Sequence, residues 1–110
     1  MNWYQLTDLQ QLEELKEASF HEPVLFFKHS TRCSISVMAL NRFEREWDDF
    51  DFKAYLLDLL NYRDVSNAIA DVFEVEHQSP QVLLIIKGIC VFHQSHNAIS
   101  TKNLKEYLQR

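Results

Sequence analysis

Val24-Leu25-Phe26-Phe27-Lys28-His29-Ser30-Thr31-Arg32-Cys33-Ser34-Ile35-Ser36 is the stretch around which the rest of the chain reads. Its first four residues form a continuous apolar run of strand length, bounded by Pro23 and by the polar residues that follow, as a buried strand requires. Beyond it, Ile35, Met38, Ala39, Phe43 and Trp47 recur at helical spacing, with Asn41, Arg42, Glu44, Arg45 and Asp48 between them. This predicts an amphipathic helix with the first set facing the core. Cys33 then falls at a strand-to-helix junction, where the first turn's N–H groups lack intrahelical partners and the positive end of the dipole favours an anion. A thiolate is such an anion, and the adjacent Arg32 adds positive charge beside it.

A chain of 110 residues is expected to form one domain, residues 1–110, and to fold without disulfide staples. Hydrophobic residues at 46% and charged residues at 25% are ordinary globular values, which argues against a disordered or membrane chain. The net charge of −5 and the lack of a basic stripe argue against a nucleic-acid partner, whose phosphates need clustered Lys and Arg. Met1-Asn2-Trp3-Tyr4-Gln5 has neither the charged nor the apolar region of a secretion signal, so a cytoplasmic location and no membrane partner are expected. Cys33 and Cys90 are too far apart in sequence for a paired zinc motif, and a reducing compartment would keep both as thiols.

Outward from the central stretch, Thr7-Asp8-Leu9-Gln10 fits a capping box that opens a first helix through Leu9, Leu12 and Leu15, and His21-Glu22-Pro23 ends it. After the cysteine helix, Asp48-Asp49-Phe50-Asp51 reads as a turn and Phe52 to Asp58 as a second strand, giving a right-handed βαβ unit with parallel strands. Asn61-Tyr62-Arg63-Asp64 opens a helix with Val65, Ala68, Ile69, Val72 and Phe73 on one face. The loop Glu76-His77-Gln78-Ser79-Pro80 leads into Val82-Leu83-Leu84-Ile85-Ile86, a run with the β-branched content of a central strand. Lys87-Gly88, with the chain's single glycine, supplies a tight hairpin turn into Ile89-Cys90-Val91-Phe92-His93. Ser100 caps a last helix, with Ile99 and Leu104 placed as a hydrophobic staple.

The element order is α-βαβ-α-ββ-α. A parallel βαβ half joined by a helix to an antiparallel hairpin is a thioredoxin-like α/β arrangement: a four-stranded mixed sheet flanked by helices, with an extra N-terminal helix. That layout sets Pro80, at the start of the third strand, beside the N-terminus of the cysteine-bearing helix, and in such folds the bond before it is cis.

Lys28-His29-Ser30-Thr31, Cys33 and Ile35-Ser36, together with Ser79-Pro80-Gln81 and Ser95-His96, resemble the monothiol bacilliredoxins, thioredoxin-like general-stress proteins of the bacillithiol system. The resemblance covers nearly the whole chain. It implies a thiol-disulfide oxidoreductase that removes bacillithiol from protein mixed disulfides, with Cys33 as the attacking thiol. The implied cosubstrate is a low-molecular-weight thiol, with no bound cofactor. Two residues depart from the family's pattern: Ser34 stands where proline follows the cysteine, and Arg32 where threonine is common.

Around Cys33 the supporting candidates are Arg32, Ser34, Ser36 and His29, and the substrate-binding candidates are Thr31, Ser79 and Pro80. Ser36 occupies the second cysteine position of a Cys-x-x-Cys motif, which removes the intramolecular disulfide route. Its hydroxyl is either that of an ordinary first-turn serine or a hydrogen-bond donor to the thiolate. His29 reads as a solvated strand-end residue or as a group that tunes Cys33. Arg32 reads as a solvated charge or as a contact for a carboxylate on the small thiol. Cys90, between Ile89 and Val91, reads as a packing residue. His77, His93 and His96 are not at metal-ligand spacing, so no metal site is expected. Two other functions fit the same residues: an iron–sulfur carrier using Cys33 and a bound small thiol between two protomers, and a non-catalytic thioredoxin-like module that docks a peptide.

Overall fold

In the computed structural model, which describes residues 1–109, five strands form one mixed sheet in the order β1-β3-β2-β4-β5. The elements are β1 (Trp3–Gln5), α1 (Leu9–Ala18), β2 (Val24–His29), α2 (Ser34–Arg45), β3 (Lys53–Asp58), α3 (Arg63–Phe73), β4 (Gln81–Ile86), β5 (Ile89–Ser95), a single 3-10 turn (His96–Ala98) and α4 (Thr101–Leu108). β2 runs parallel to β3 and antiparallel to β4, which in turn pairs antiparallel with β5. The sheet has one strand more than the four expected. β1 lies parallel on the outer edge of β3, with Trp3, Tyr4 and Gln5 opposite Ala54, Tyr55 and Leu56. Three residues are too few to show a two-residue period, so nothing in the sequence marks them as a strand.

Every residue of β2 is buried, because helices cover both faces of the sheet around it. Its alternate side chains feed two cores. Val24 and Phe26 join Leu12, Leu15, Val65, Ile69 and Phe73 beneath α1 and α3. Leu25 and Phe27 join Ala39, Phe43, Ile99 and Leu104 beneath α2 and α4. Continued by two residues, the same alternation sends Lys28 toward α3 and His29 toward α2, and their hydrogen bonds to Ser66 and Ser36 follow that division.

Local signals fix most boundaries. Asp8, not Thr7, is the N-cap of α1: its carboxylate accepts the Gln11 N–H at 2.7 Å, while the Gln11 carboxamide oxygen accepts the Thr7 N–H at 2.9 Å. The cap is thus set one residue later than its sequence signature, Asp8 and Gln11 having the same three-residue spacing as Thr7 and Gln10, and the Gln11 side chain reaches back to the residue before the cap. Ser100 caps α4 by accepting the Asn103 N–H at 3.2 Å. Lys87 and Gly88 both have positive φ, 54° and 80°, as a hairpin turn matched to the strand twist requires.

The buried stripe of α2 is Ser36, Ala39 and Phe43, so the expected inward placement of Ile35 and Met38 is wrong. These two are 53% and 66% exposed. Seating the small Ser36 against the sheet rotates the first turn by one position and turns both apolar side chains outward.

Candidate functional site

Cys33 is the N-cap residue of α2, with extended backbone (φ −110°, ψ 117°), and its side chain makes no capping hydrogen bond. Its N–H donates to the Ser30 carbonyl at 3.2 Å and its carbonyl accepts from Val37 at 3.0 Å, which fixes the turn while the half-buried thiol stays free. The β2 strand that precedes it ends in a fully paired register: Lys28 faces Gln81 of β4, and the His29 carbonyl accepts the Leu59 N–H at 3.0 Å. Because Pro80 directly precedes Gln81, the register brings the Ser79-Pro80 segment to the end of β2 from which the chain leaves toward Cys33. The Ser79-Pro80 peptide is cis, and the Pro80 carbonyl accepts the His96 N–H at 3.1 Å. The Ser79 hydroxyl is buried and has no hydrogen-bond partner among the described residues.

Ser36 has hydrogen-bond partners other than the thiol. Its buried hydroxyl oxygen accepts the Ser30 N–H at 3.0 Å and lies 2.7 Å from Nδ1 of His29. His29 is buried, which corrects its reading as a solvated strand end. Burial lowers the imidazole's pKa below its ordinary value, against the opposing negative charges of Asp58 and Glu44. A neutral ring carries one proton, so the direction of the hydrogen bond between Nδ1 and the Ser36 hydroxyl is set by which ring nitrogen holds it. The pair ties the start of α2 to the end of β2 and holds the Cys33 turn between them.

Thr31 and Arg32 are exposed in that turn, and with Leu60 and Asn61 they line a cleft of about 300 Å³. Its far wall is shaped by Asp58, which accepts from the Leu60 N–H at 3.2 Å and the Asn61 carboxamide at 2.7 Å. Ser34 is exposed at the first position of α2. A larger hollow of about 410 Å³, between β5 and α4, contains none of these residues. The site is therefore defined by the thiol and not by cavity size.

Sequence reasoning missed two neighbours. Lys28 is wholly buried, and its Nζ donates to the Ser66 carbonyl of α3 at 3.1 Å and to Nδ1 of His77 at 3.2 Å. Burial lowers its pKa from 10.5 to about 8. Burial, followed by the charges of Lys28 and Arg63, likewise lowers that of His77. Only the alternation of β2 hinted at an inward lysine.

Cys90 packs against the α1 and α3 side of the core, with its thiol 3.4 Å from the Phe92 carbonyl. Burial pushes its pKa up. It pairs with Ile85, and Ile85 with Val24, at the opposite end of the sheet from Gln81 and Lys28. Four residues of β2 span about 13 Å. No cluster of three or more His, Cys, Asp and Glu able to hold a metal occurs among the described residues. No helix among them is long and apolar enough to cross a membrane.

A family model described as monothiol bacilliredoxin BrxC matches residues 4–104. A solved structure described as a candidate oxidoreductase with a thioredoxin fold is 30% identical, with a TM-score of 0.82, over 93% of this chain and 89% of that one. The thioredoxins of Trypanosoma brucei brucei and Malassezia sympodialis are each 12% identical. Their TM-scores are 0.79 and 0.74, covering 99% and 98% of this chain and 93% and 89% of theirs. The last two likenesses establish the thioredoxin fold alone.

Proposed function

We propose, for a chain that belongs to the monothiol bacilliredoxin family and so works in thiol-disulfide redox chemistry, that Cys33 removes bacillithiol from protein mixed disulfides. The observation that carries this reading is the isolation of one free thiol at a helix start. The second cysteine position of the motif holds Ser36, whose hydroxyl is committed to His29 and Ser30, while Cys90 lies at the far end of the sheet.

The Cys33 thiolate attacks the small-thiol sulfur of the mixed disulfide. The S–S bond to the target's cysteine breaks, the target leaves as a thiolate, and a new disulfide joins Cys33 to the small thiol. A second small-thiol thiolate then attacks that sulfur, giving the symmetric small disulfide and free Cys33, so electrons are conserved at each step. Exchange of this kind is fastest when the attacking thiol titrates near ambient pH.

Two surfaces suit the two substrates. The exposed Ile35 and Met38 offer apolar surface, and the Ser79-Pro80 segment at the end of β2 offers backbone groups, to a protein chain. Thr31 and Arg32 beside the cleft with Leu60 and Asn61 offer a guanidinium and polar groups to a small thiol bearing carboxylates. Ser34 leaves its backbone N–H in the first turn beside the sulfur, where proline would remove it. No bound cofactor is needed, and a reducing compartment such as the cytoplasm would supply the second thiol.

The test is release of bacillithiol, and separately glutathione, from a purified protein carrying either one as a mixed disulfide. Faster release of bacillithiol, lost in Cys33→Ala and kept in Cys90→Ala, is expected. Equal rates would remove the assignment of the small thiol. Unchanged rates in Cys33→Ala would remove the nucleophile, and equal binding of the target by Cys33→Ala without turnover would favour a docking module.

A further inference from the structure

We infer that Lys28 and His77 form a buried clamp that positions the Ser79-Pro80 wall of the protein-substrate groove, making both of them positioning residues for exchange at Cys33. The inference rests on the reading above, in which that segment receives the target chain.

Three segments meet at one ammonium. Lys28, next to last in β2, points to the α3 side, and its Nζ reaches the Ser66 carbonyl at 3.1 Å and Nδ1 of His77 at 3.2 Å. Ser66 contributes a second approach, its hydroxyl lying 3.4 Å from the same ring nitrogen. Since Lys28 can only donate, His77 presents a lone pair at Nδ1 and is neutral. The ring belongs to the loop between α3 and β4, three residues before Pro80. That loop is closed upon itself by the buried Gln81, whose carboxamide donates to the Glu76 carbonyl at 3.0 Å and accepts the Gln78 N–H at 3.4 Å. Gln81 thus sets the loop's shape, whereas Lys28 sets where that shape sits relative to β2 and α3.

The location argues for more than packing. Among the described residues no carboxylate pairs with Lys28, the one salt bridge being Lys105 with Asp48. A buried ammonium without a counter-ion weakens a fold, and a methionine would fill the same volume without that cost. What methionine would lack is the pair of directed donors. Lys28 is also the residue beside His29, so one strand end holds the cysteine turn with one side chain and the opposing wall with the next.

His77→Leu, His77→Asn and Lys28→Met are compared with the wild type. The first readout is steady-state release from a protein mixed disulfide. The second is exchange with a small symmetric disulfide, which needs no groove. The third is amide hydrogen exchange across residues 76–81. In His77→Leu and Lys28→Met the KM for the protein substrate should rise about tenfold with kcat little changed, the pattern of lost substrate binding, while small-disulfide exchange stays within about twofold. Amides of the loop should exchange faster. Asn offers Oδ1 near the position of Nδ1, so His77→Asn should recover most of the KM and of the protection. Unchanged loop protection in His77→Leu would overturn the clamp, even if Lys28→Met fails to fold. A parallel loss with the small disulfide, or no rescue by asparagine, would overturn the positioning role. Wild-type protein inactive toward both disulfides would instead remove the function proposed above, a distinct outcome because loop protection is read without turnover.

Discussion

Replacing Lys28 by methionine isolates the energetic consequence of burying an ammonium next to the thiol segment. Burial brings the lysine's pKa from 10.5 down to about 8. Between those values the unfolded chain binds a proton that the folded chain has released, so the wild type gains stability as pH rises through that window. The gap is about 2.5 pH units, and at about 1.4 kcal/mol per unit the charged lysine weakens the fold by at most about 3.5 kcal/mol below pH 8, less as solvent screens the charge, a penalty gone near pH 10.5. Lys28→Met has no such penalty at any pH. It does leave the Ser66 carbonyl and His77 Nδ1 without their donor, a cost of about 1–3 kcal/mol. Near pH 7 the two effects offset and the proteins should be close in stability; near pH 10.5 the wild type should be the more stable by the donor cost. Cys90 and Tyr55, both held above their ordinary pKa by burial, act in the opposite sense, because their unfolded forms ionise first. They are common to both proteins and cancel in the difference. Urea unfolding followed by Trp3 and Trp47 fluorescence, at steps from pH 7 to 10.5 with a reductant present, measures it. A stability difference that moves in favour of the wild type, by up to about 3.5 kcal/mol, is the expected result. Parallel curves would show that Lys28 is not held in a desolvated site.

Under native conditions near neutral pH, Cys33 should alkylate much faster than Cys90, whose thiol is pushed up by burial, and comparable labelling by peptide mass would reverse the choice of nucleophile. Mild oxidation should give a small-thiol mixed disulfide or a sulfenic acid at Cys33. A Cys33–Cys90 bridge in peptide maps would contradict the register that sets them about 13 Å or more apart, beyond the reach of a disulfide. Ser36→Ala leaves the part-buried Ser30 N–H and the buried His29 Nδ1 without this partner and should cost about 1–3 kcal/mol in urea unfolding; unchanged stability would mean that the pair does not hold the turn. Gly88→Ala would put a Cβ 2.9 Å from the Phe20 ring at φ +80°, and a loss of about 1–2 kcal/mol or more is expected; unchanged stability would mean that the hairpin turn adopts another conformation.

The parts legible in the sequence were those written in short-range chemistry. The apolar run at Val24 to Phe27, the glycine turn at Gly88, the Ser100 cap and the proline before Val82 each act over a few residues, and each lies where the pattern placed it. β1 was not legible because its three residues gain their structure from β3, about fifty positions on. The face of α2 was misread at Ile35 and Met38 because a small polar residue, Ser36, is the one seated against the sheet, and helical periodicity weighs hydrophobicity before size. Cys33 was singled out from its place between a strand and a helix, and it does stand at that junction. Its surroundings were not: His29 became buried through Ser36, and Lys28 met His77 across 49 positions, contacts that only the closed sheet creates.

The most direct test of the account is to identify the sulfur that carries the small thiol midway through exchange. The protein is mixed with a target loaded with isotope-labelled bacillithiol, without free thiol, quenched with acid and mapped by peptide mass. The label should appear on the peptide containing Cys33 as the target is freed, with none on Cys90 and none in Cys33→Ala. Label on Cys90, or release of the target with no labelled Cys33 at any time, would contradict it.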